Sequence, residues 1–344
     1  MLRERLNMKL RLDNFDKIVF DMDGVITSEY AYWYSAALTA YDLLVSHEHY
    51  GACGIDREWL RKNYLDVYNT VMCGGRTVSA VKRLGVNTNW DLAFVVFCIS
   101  RYIDPYLDRL DYAHFQSVCM FIESIDMKAP ELYEAVSLLA VQSDDKYKEG
   151  HFDRNGSFFT EDIMNTFDLW YSGCEQFEGI CSEEVLLFPS DDIKSLLEKL
   201  KAKNISLGIG TGRLTDEIES PLKAYGIYDY FDKDLYCSYD EVVKAEEELK
   251  SEVPLAKPEP YVFLKAAIGS KYSDKDLVDG NYDAKDTERT LIVGDAPSDL
   301  YSAKKAGFKF LAVLTGVEGE GMRSWFEENN ADYILNNVLE MCEE

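Results

Sequence analysis

Positive charge is what this chain has least of. Lys and Arg number 36 against 62 Asp and Glu in 344 residues, a formal net charge of -26. Nucleic-acid phosphates and anionic membrane surfaces are both held by basic patches, so no nucleic acid and no membrane is expected among the partners. Long apolar runs are missing too. The longest, Leu92 to Ile99, is too short to span a bilayer. The start, MLRERLNMKLRLDNFD, is charged where an export signal has an apolar core. Patterned cysteine is also absent: Cys53, Cys73, Cys98, Cys119, Cys174, Cys181, Cys237 and Cys342 are scattered, with no CxxC and no metal-ligand spacing. Reduced thiols and a cytoplasmic location are the expectation. His47 and His49 have His-x-His spacing without a matching carboxylate or cysteine pattern, and are read as a solvated loop.

What is present begins with an apolar fraction of 47%, enough at this length for two domains and a sizeable core. Residues Lys17 to Thr27 read KIVFDMDGVIT. The short, mostly apolar run Lys17 to Phe20 ends abruptly in Asp21, Met22, Asp23 and Gly24, as a buried parallel strand does when it runs into a loop. Strand alternation sends Asp21 and Asp23 the same way, and carboxylates at such a strand end sit where open α/β sheets bind ligands. An Asx-Gly turn is the plainer alternative for a lone Asp-x-Asp-Gly. Two like charges at 4 Å repel by about 4 kcal/mol at an effective dielectric of 20. A phosphate dianion roughly doubles that, and about 8 kcal/mol is close to six powers of ten in rate. A divalent ion with oxygen ligands, Mg²⁺ by preference, removes the penalty.

Along the chain, Tyr30, Trp33, Tyr34, Ala37, Leu38 and Tyr41 recur at helical spacing, a packing face. From Asp56 to about Gln142 the pattern predicts successive amphipathic helices, among them Glu58 to Val71, a helix after Gly74-Gly75, Asp91 to Tyr102 and Pro130 to Val141. A polar loop, Ser143 to Gly156, precedes a helix that Thr160 is expected to cap. After Pro189 the text changes. A helix from Ser190 leads to a strand at Ile205 to Ile209 and the exit Gly210-Thr211-Gly212-Arg213; a helix follows around Asp216 to Tyr225. A short strand near Leu235 to Cys237, an acidic helix Asp240 to Glu252, and a helix Tyr261 to Ile268 entered through Lys257-Pro258-Glu259-Pro260 come next. A polar loop, Gly269 to Glu288, leads to a strand at Thr290 to Val293, the segment GDAPSD from Gly294 to Asp299, a helix to Ala306, and a strand from Phe308 to Leu314. Strands alternate with helices only before Gly24 and after Pro189, so a large helical insertion splits an α/β core.

Four motifs stand in order: Asp21/Asp23, Thr211, Lys257 and Asp295/Asp299. In this order and setting they resemble the haloacid dehalogenase superfamily of phosphotransferases, in the subfamily with a helical cap inserted after the first motif, which includes phosphoglycolate phosphatases and beta-phosphoglucomutases. The resemblance implies a doubly wound, parallel-sheet Rossmann-like core at 1–27 and 188–344 and an all-helical cap at 28–187. It further implies that Asp21 is the nucleophile, forming an aspartyl-phosphate. Asp23 is then the general acid that protonates the leaving alkoxide and afterwards activates water. Its backbone carbonyl, with the carboxylates of Asp21 and Asp295, ligates Mg²⁺.

By the same resemblance Thr211 and the backbone of Gly212 bind the transferring phosphoryl group, and Lys257 supplies charge that holds phosphate and nucleophile together. Asp299 orients Lys257 or a metal-bound water. Asp at position 23 favours phosphate-ester chemistry over the dehalogenase, phosphonatase and ion-pump branches. Arg76, after Gly74-Gly75 and ahead of Lys82 and Arg83, looks like the cap's substrate loop; a solvated helix face is the alternative. The insertion is far longer than the cap usual in this subfamily, which suits a particular substrate or a homodimer surface. The function expected is a phosphatase of a small phosphorylated metabolite. A sugar phosphomutase and a non-catalytic binding protein of the same fold are the alternatives.

Overall fold

The computed structural model describes residues 10–86, 88–107, 110–142, 144–251 and 253–342. The charged start at 1–9, Ser143 of the expected polar loop and Glu252, the expected end of the acidic helix, lie outside the described residues. Described residues up to Ser28 and from Val185 onward form one compact unit, and Glu29–Glu184 form a second.

The first unit is built on six short strands, β1 (Lys17–Phe20), β4 (Ser206–Gly210), β5 (Tyr236–Cys237), β6 (Thr290–Gly294), β7 (Lys309–Val313) and β8 (Tyr333–Leu335). β2 (Gly173–Cys174) and β3 (Phe177–Glu178) belong to the inserted unit. The sheet runs β5-β4-β1-β6-β7-β8, parallel throughout. β1 therefore lies in the middle, and the chain winds outward from it on both sides. Register aligns Phe20 with Ile209 on one side and with Val293 on the other. Asp21, Thr211 and Asp295 thus leave three adjacent strands at nearly the same level.

Alternation gives each face its own core, as expected of a sheet covered on both sides. Ile18, Phe20, Leu207, Ile209, Leu291, Val293, Leu311 and Val313 pack with the helices Ser190–Ala202 and Thr215–Ala224. Val19, Ile292, Phe310 and Ala312 pack with Tyr239–Leu249, Tyr261–Ile268 and Pro297–Lys305. Full burial of one such side chain is worth about 1.5–3 kcal/mol, so the strand ends are anchored by their own residues.

The segment expected as a polar loop, Gly269 to Glu288, contains helices at Asp274–Asp279 and Lys285–Glu288. Ser273 and Asp276 cap the first of these reciprocally, a local signal that the surrounding polarity hid. β8 carries only half-buried side chains and was not expected.

The inserted unit is largely helical. Its helix Asn89–Ile103 is buried on all sides from Asp91 to Arg101, which accounts for the run Leu92 to Ile99. The helix expected over Glu58 to Val71 is two, Arg57–Lys62 and Tyr64–Val71. Asn63 breaks it, turning its side-chain amide back to Trp59 O at 2.8 Å. Thr160 does not cap a helix: it lies inside a π-helical stretch, Phe158–Met164, that continues into Asn165–Ser172, and its hydroxyl donates to the carbonyls of Gly156 and Ser157. The ribbon β2-β3 adds a two-stranded element to these helices. His47 Nδ1 donates to Cys53 O at 3.1 Å, and His49 Nε2 lies 3.9 Å from Asp42. Among the described residues no helix is long and apolar enough to cross a membrane.

Candidate active site

The backbone of β1 ends at Asp21, whose N–H donates to Val293 O of β6 at 2.9 Å. Met22 is fully buried, and the chain then turns at Gly24, where φ is +72°. Asp21 is itself buried, at 7% exposure. Thr211 follows β4 at 1% exposure; its N–H donates to Cys237 O at 3.0 Å and its hydroxyl accepts from Arg213 N–H at 3.4 Å. Gly212 is exposed in the same turn.

Lys257 reaches this place from the entrance of the helix Tyr261–Ile268. Its Nζ lies 2.9 Å from Asp21 Oδ1, 2.8 Å from Asp299 Oδ1 and 4.9 Å from the centre of the Phe263 ring. Asp299 is 1% exposed and also accepts from Ala296 N–H at 3.1 Å, closing the first turn of Pro297–Lys305. Asp21, Asp295 and Asp299 each offer a carboxylate oxygen, and the three atoms lie within 4.8 Å of one another.

The electrostatics follow from burial and from that crowding. Burial pushes the Asp21 carboxyl up to about 7; Lys257 opposes the rise, and Asp299 and Asp23 add to it. Burial also works against the Lys257 ammonium, but Asp21 and Asp299 outweigh it and hold the group above the usual lysine range. One ammonium is thus set against three carboxylates, and each unrelieved like-charge contact at about 4 Å costs about 4 kcal/mol. Asp295 is also tightly housed. A Cβ at Gly24 would lie 2.4 Å from its Oδ2, and one at Gly316 only 1.9 Å from it. Hard oxygen donors, excess negative charge and a fixed carboxylate fit a divalent cation, which Asp21, Asp295 and Asp299 would hold.

A family model of haloacid dehalogenase-like hydrolases matches residues 15–307. The chain belongs to that family. Among curated proteins it is similar to a candidate pyrophosphatase PpaX of Clostridium perfringens, 28% identical over 153 residues, covering 44% of this chain and 58% of the relative. It is also similar to pyrophosphatase PpaX of Halalkalibacterium halodurans, 23% identical over 158 residues, covering 46% and 60%. The chain therefore spans less than two thirds of either relative's length. An X-ray structure of a Northeast Structural Genomics Consortium target matches at a TM-score of 0.76 and 27% identity, covering 95% of this chain and 97% of that one.

In this haloacid dehalogenase-like hydrolase the structure brings Asp21, Lys257, Asp295 and Asp299 together. Asp23 stands apart from the acidic cluster with its carboxylate bound by Arg213, whose Nε lies 3.1 Å from both Asp23 oxygens. Arg76 opens the helix Arg76–Arg83 in the inserted unit, and its Nε donates to Glu123 at 2.7 Å. That arginine is therefore engaged by a carboxylate of its own unit. Arg213 and Thr27 are partners of Asp23 that sequence reasoning missed. The only signal was a lone arginine two residues after Thr211, and its carboxylate lies 190 residues away in sequence.

Proposed function

We propose that this hydrolase is a Mg²⁺-dependent phosphatase of a small phosphorylated metabolite, a phosphoric monoester hydrolase working through an aspartyl-phosphate on Asp21. The observation that carries the reading is one ammonium shared by Asp21 and Asp299 beside Asp295, at the carboxyl ends of β1 and β6. An Asp21 carboxylate oxygen attacks phosphorus, and the bond from phosphorus to the leaving oxygen breaks. Asp23 gives a proton to that oxygen. Water then attacks the phosphorus of the aspartyl-phosphate, its proton passing to Asp23, and phosphate leaves with Asp21 restored. Lys257 holds Asp21 and the phosphoryl group together. Thr211 and the Gly212 amide donate to the phosphoryl oxygens. When bound, Mg²⁺ supplies positive charge against the acidic cluster and the phosphoryl oxygens.

A net charge of -26 supports a small-molecule substrate over nucleic acid or an anionic membrane surface. Eight free cysteines support a reducing, cytoplasmic setting. Homodimerisation through the inserted unit belongs to the same reading, and light scattering of the purified chain tests it. For activity, the test is a panel of sugar phosphates, 2-phosphoglycolate and inorganic pyrophosphate, the last because both curated relatives bear pyrophosphatase names. Phosphate release that EDTA stops is the expected result. Isomer without free phosphate from a sugar 1-phosphate assigns a mutase instead, and silence across the panel assigns a binding protein.

A further inference from the structure

We propose that Arg213 is the positioning residue for Asp23, holding the carboxylate where proton transfer takes place and making no contact with substrate. The inference rests on the phosphatase reading above. An arginine two residues beyond Thr211 would ordinarily be read as a second ligand for the substrate's phosphate. The geometry assigns it elsewhere.

Arg213 is only 2% exposed. Its Nε lies 3.1 Å from both Asp23 oxygens, and Nη2 donates to Asp23 Oδ1 as well. Nη2 also donates to Thr27 Oγ1 at 3.0 Å, and Nη1 to Glu217 O at 3.1 Å. A guanidinium that spans both oxygens fixes the plane of a carboxylate, which a lysine ammonium cannot do. Thr27 is tied into the loop it helps to support: its N–H donates to Met22 O at 2.9 Å, and Gly24 N–H donates to its carbonyl at 2.8 Å. At the other end, the Arg213 N–H donates to the Thr211 hydroxyl at 3.4 Å. The turn that carries the phosphoryl-binding hydroxyl and the group that handles the proton therefore share one buried support. Without it, the partly exposed Asp23 side chain keeps a 3.4 Å contact with Thr27. A displacement of about 1 Å at a reacting group costs on the order of 100-fold in rate.

The test is a double-mutant cycle read as kcat and KM with p-nitrophenyl phosphate in excess Mg²⁺, with near-ultraviolet circular dichroism as the check on folding. Arg213→Met is expected to lower kcat about 100-fold while KM stays within about threefold, because the loss is in proton transfer and not in binding. Arg213→Lys should recover part of that loss. In an Asp23→Asn background, adding Arg213→Met should cost less than about threefold, since the group it positions has already been disabled. Multiplying losses, or a raised KM at unchanged kcat, would overturn the assignment. If Arg213→Met does not fold, Arg213→Gln removes the charge and the grip on both Asp23 oxygens while keeping a polar side chain. It should lower kcat several-fold in the wild type and leave it unchanged beside Asp23→Asn; any other pattern overturns the proposal. Multiplying losses in an active wild type sink only the role of Arg213, whereas a wild type that releases no phosphate from any ester sinks the phosphatase reading and this inference together.

Discussion

Lys257 Nζ stands 2.8 Å from Asp299 Oδ1, across 42 residues of chain, and the same ammonium lies 2.9 Å from Asp21. Lys257→Met would leave three buried or half-buried carboxylates around an apolar side chain. Breaking a buried pair from one side costs about 3–5 kcal/mol. Urea unfolding should therefore show a loss of about 3 kcal/mol at pH 8, with turnover abolished. The loss should be smaller at pH 5, where Asp21 takes up a proton.

Asp21→Asn separates function from stability. The folded carboxyl titrates near 7 against an ordinary value of 3.8, so between those values the folded state binds the extra proton. Its favourable contribution is complete below about pH 4 and is lost as pH rises through about 7. A permanently neutral amide escapes that loss. At pH 8 the variant should be more stable than the wild type by about 1–4 kcal/mol in urea unfolding, and should release no phosphate. Equal or lower stability at pH 8 would contradict the electrostatics described for the site.

A divalent cation held by Asp21, Asp295 and Asp299 would compete with the Asp21 proton for the same oxygens, so Mg²⁺ affinity should fall as pH falls. Below pH 7 the apparent dissociation constant is expected to rise about tenfold per pH unit, read by calorimetric titration of the resting protein. Melting temperature should likewise rise with Mg²⁺ more at pH 8 than at pH 5.5. A pH-independent affinity would place the cation away from Asp21.

Gly316→Ala isolates Asp295. Its added methyl would fall 1.9 Å from Asp295 Oδ2, so the carboxylate must move. The Mg²⁺ concentration for half-maximal activity should rise about 10–100-fold, with little change in melting temperature without metal. An unchanged metal requirement would show that Asp295 is not a ligand.

The core was legible where a short apolar run met a turn. Lys17 to Phe20 and Tyr261 to Ile268 have the ends that were expected. Their side chains set both the period and the breaks, so no distant contact was needed to find them. Motif order likewise pointed to Asp21, Lys257, Asp295 and Asp299 before any geometry was known, because each stands beside a strand end or a helix entrance. Arg213 was not legible. Its meaning depends on Asp23 and Thr27, 190 and 186 residues away, and an arginine beside a turn proposed to bind phosphate has a nearer explanation. In the inserted unit, Asn63 and the Phe158–Met164 stretch escaped for a related reason. Side-chain bonds to backbone carbonyls and a change of helical period leave no mark on an apolar stripe.

In the proposed reaction, phosphate passes through a covalent bond to Asp21. Acid quenching of wild-type protein during turnover of p-nitrophenyl phosphate, followed by peptide mass spectrometry, tests it most directly. A phosphoryl adduct is expected on the peptide containing Asp21, present with Mg²⁺, absent with EDTA and absent in Asp21→Asn. Steady phosphate release with no adduct at Asp21, or with undiminished turnover in Asp21→Asn, would contradict it.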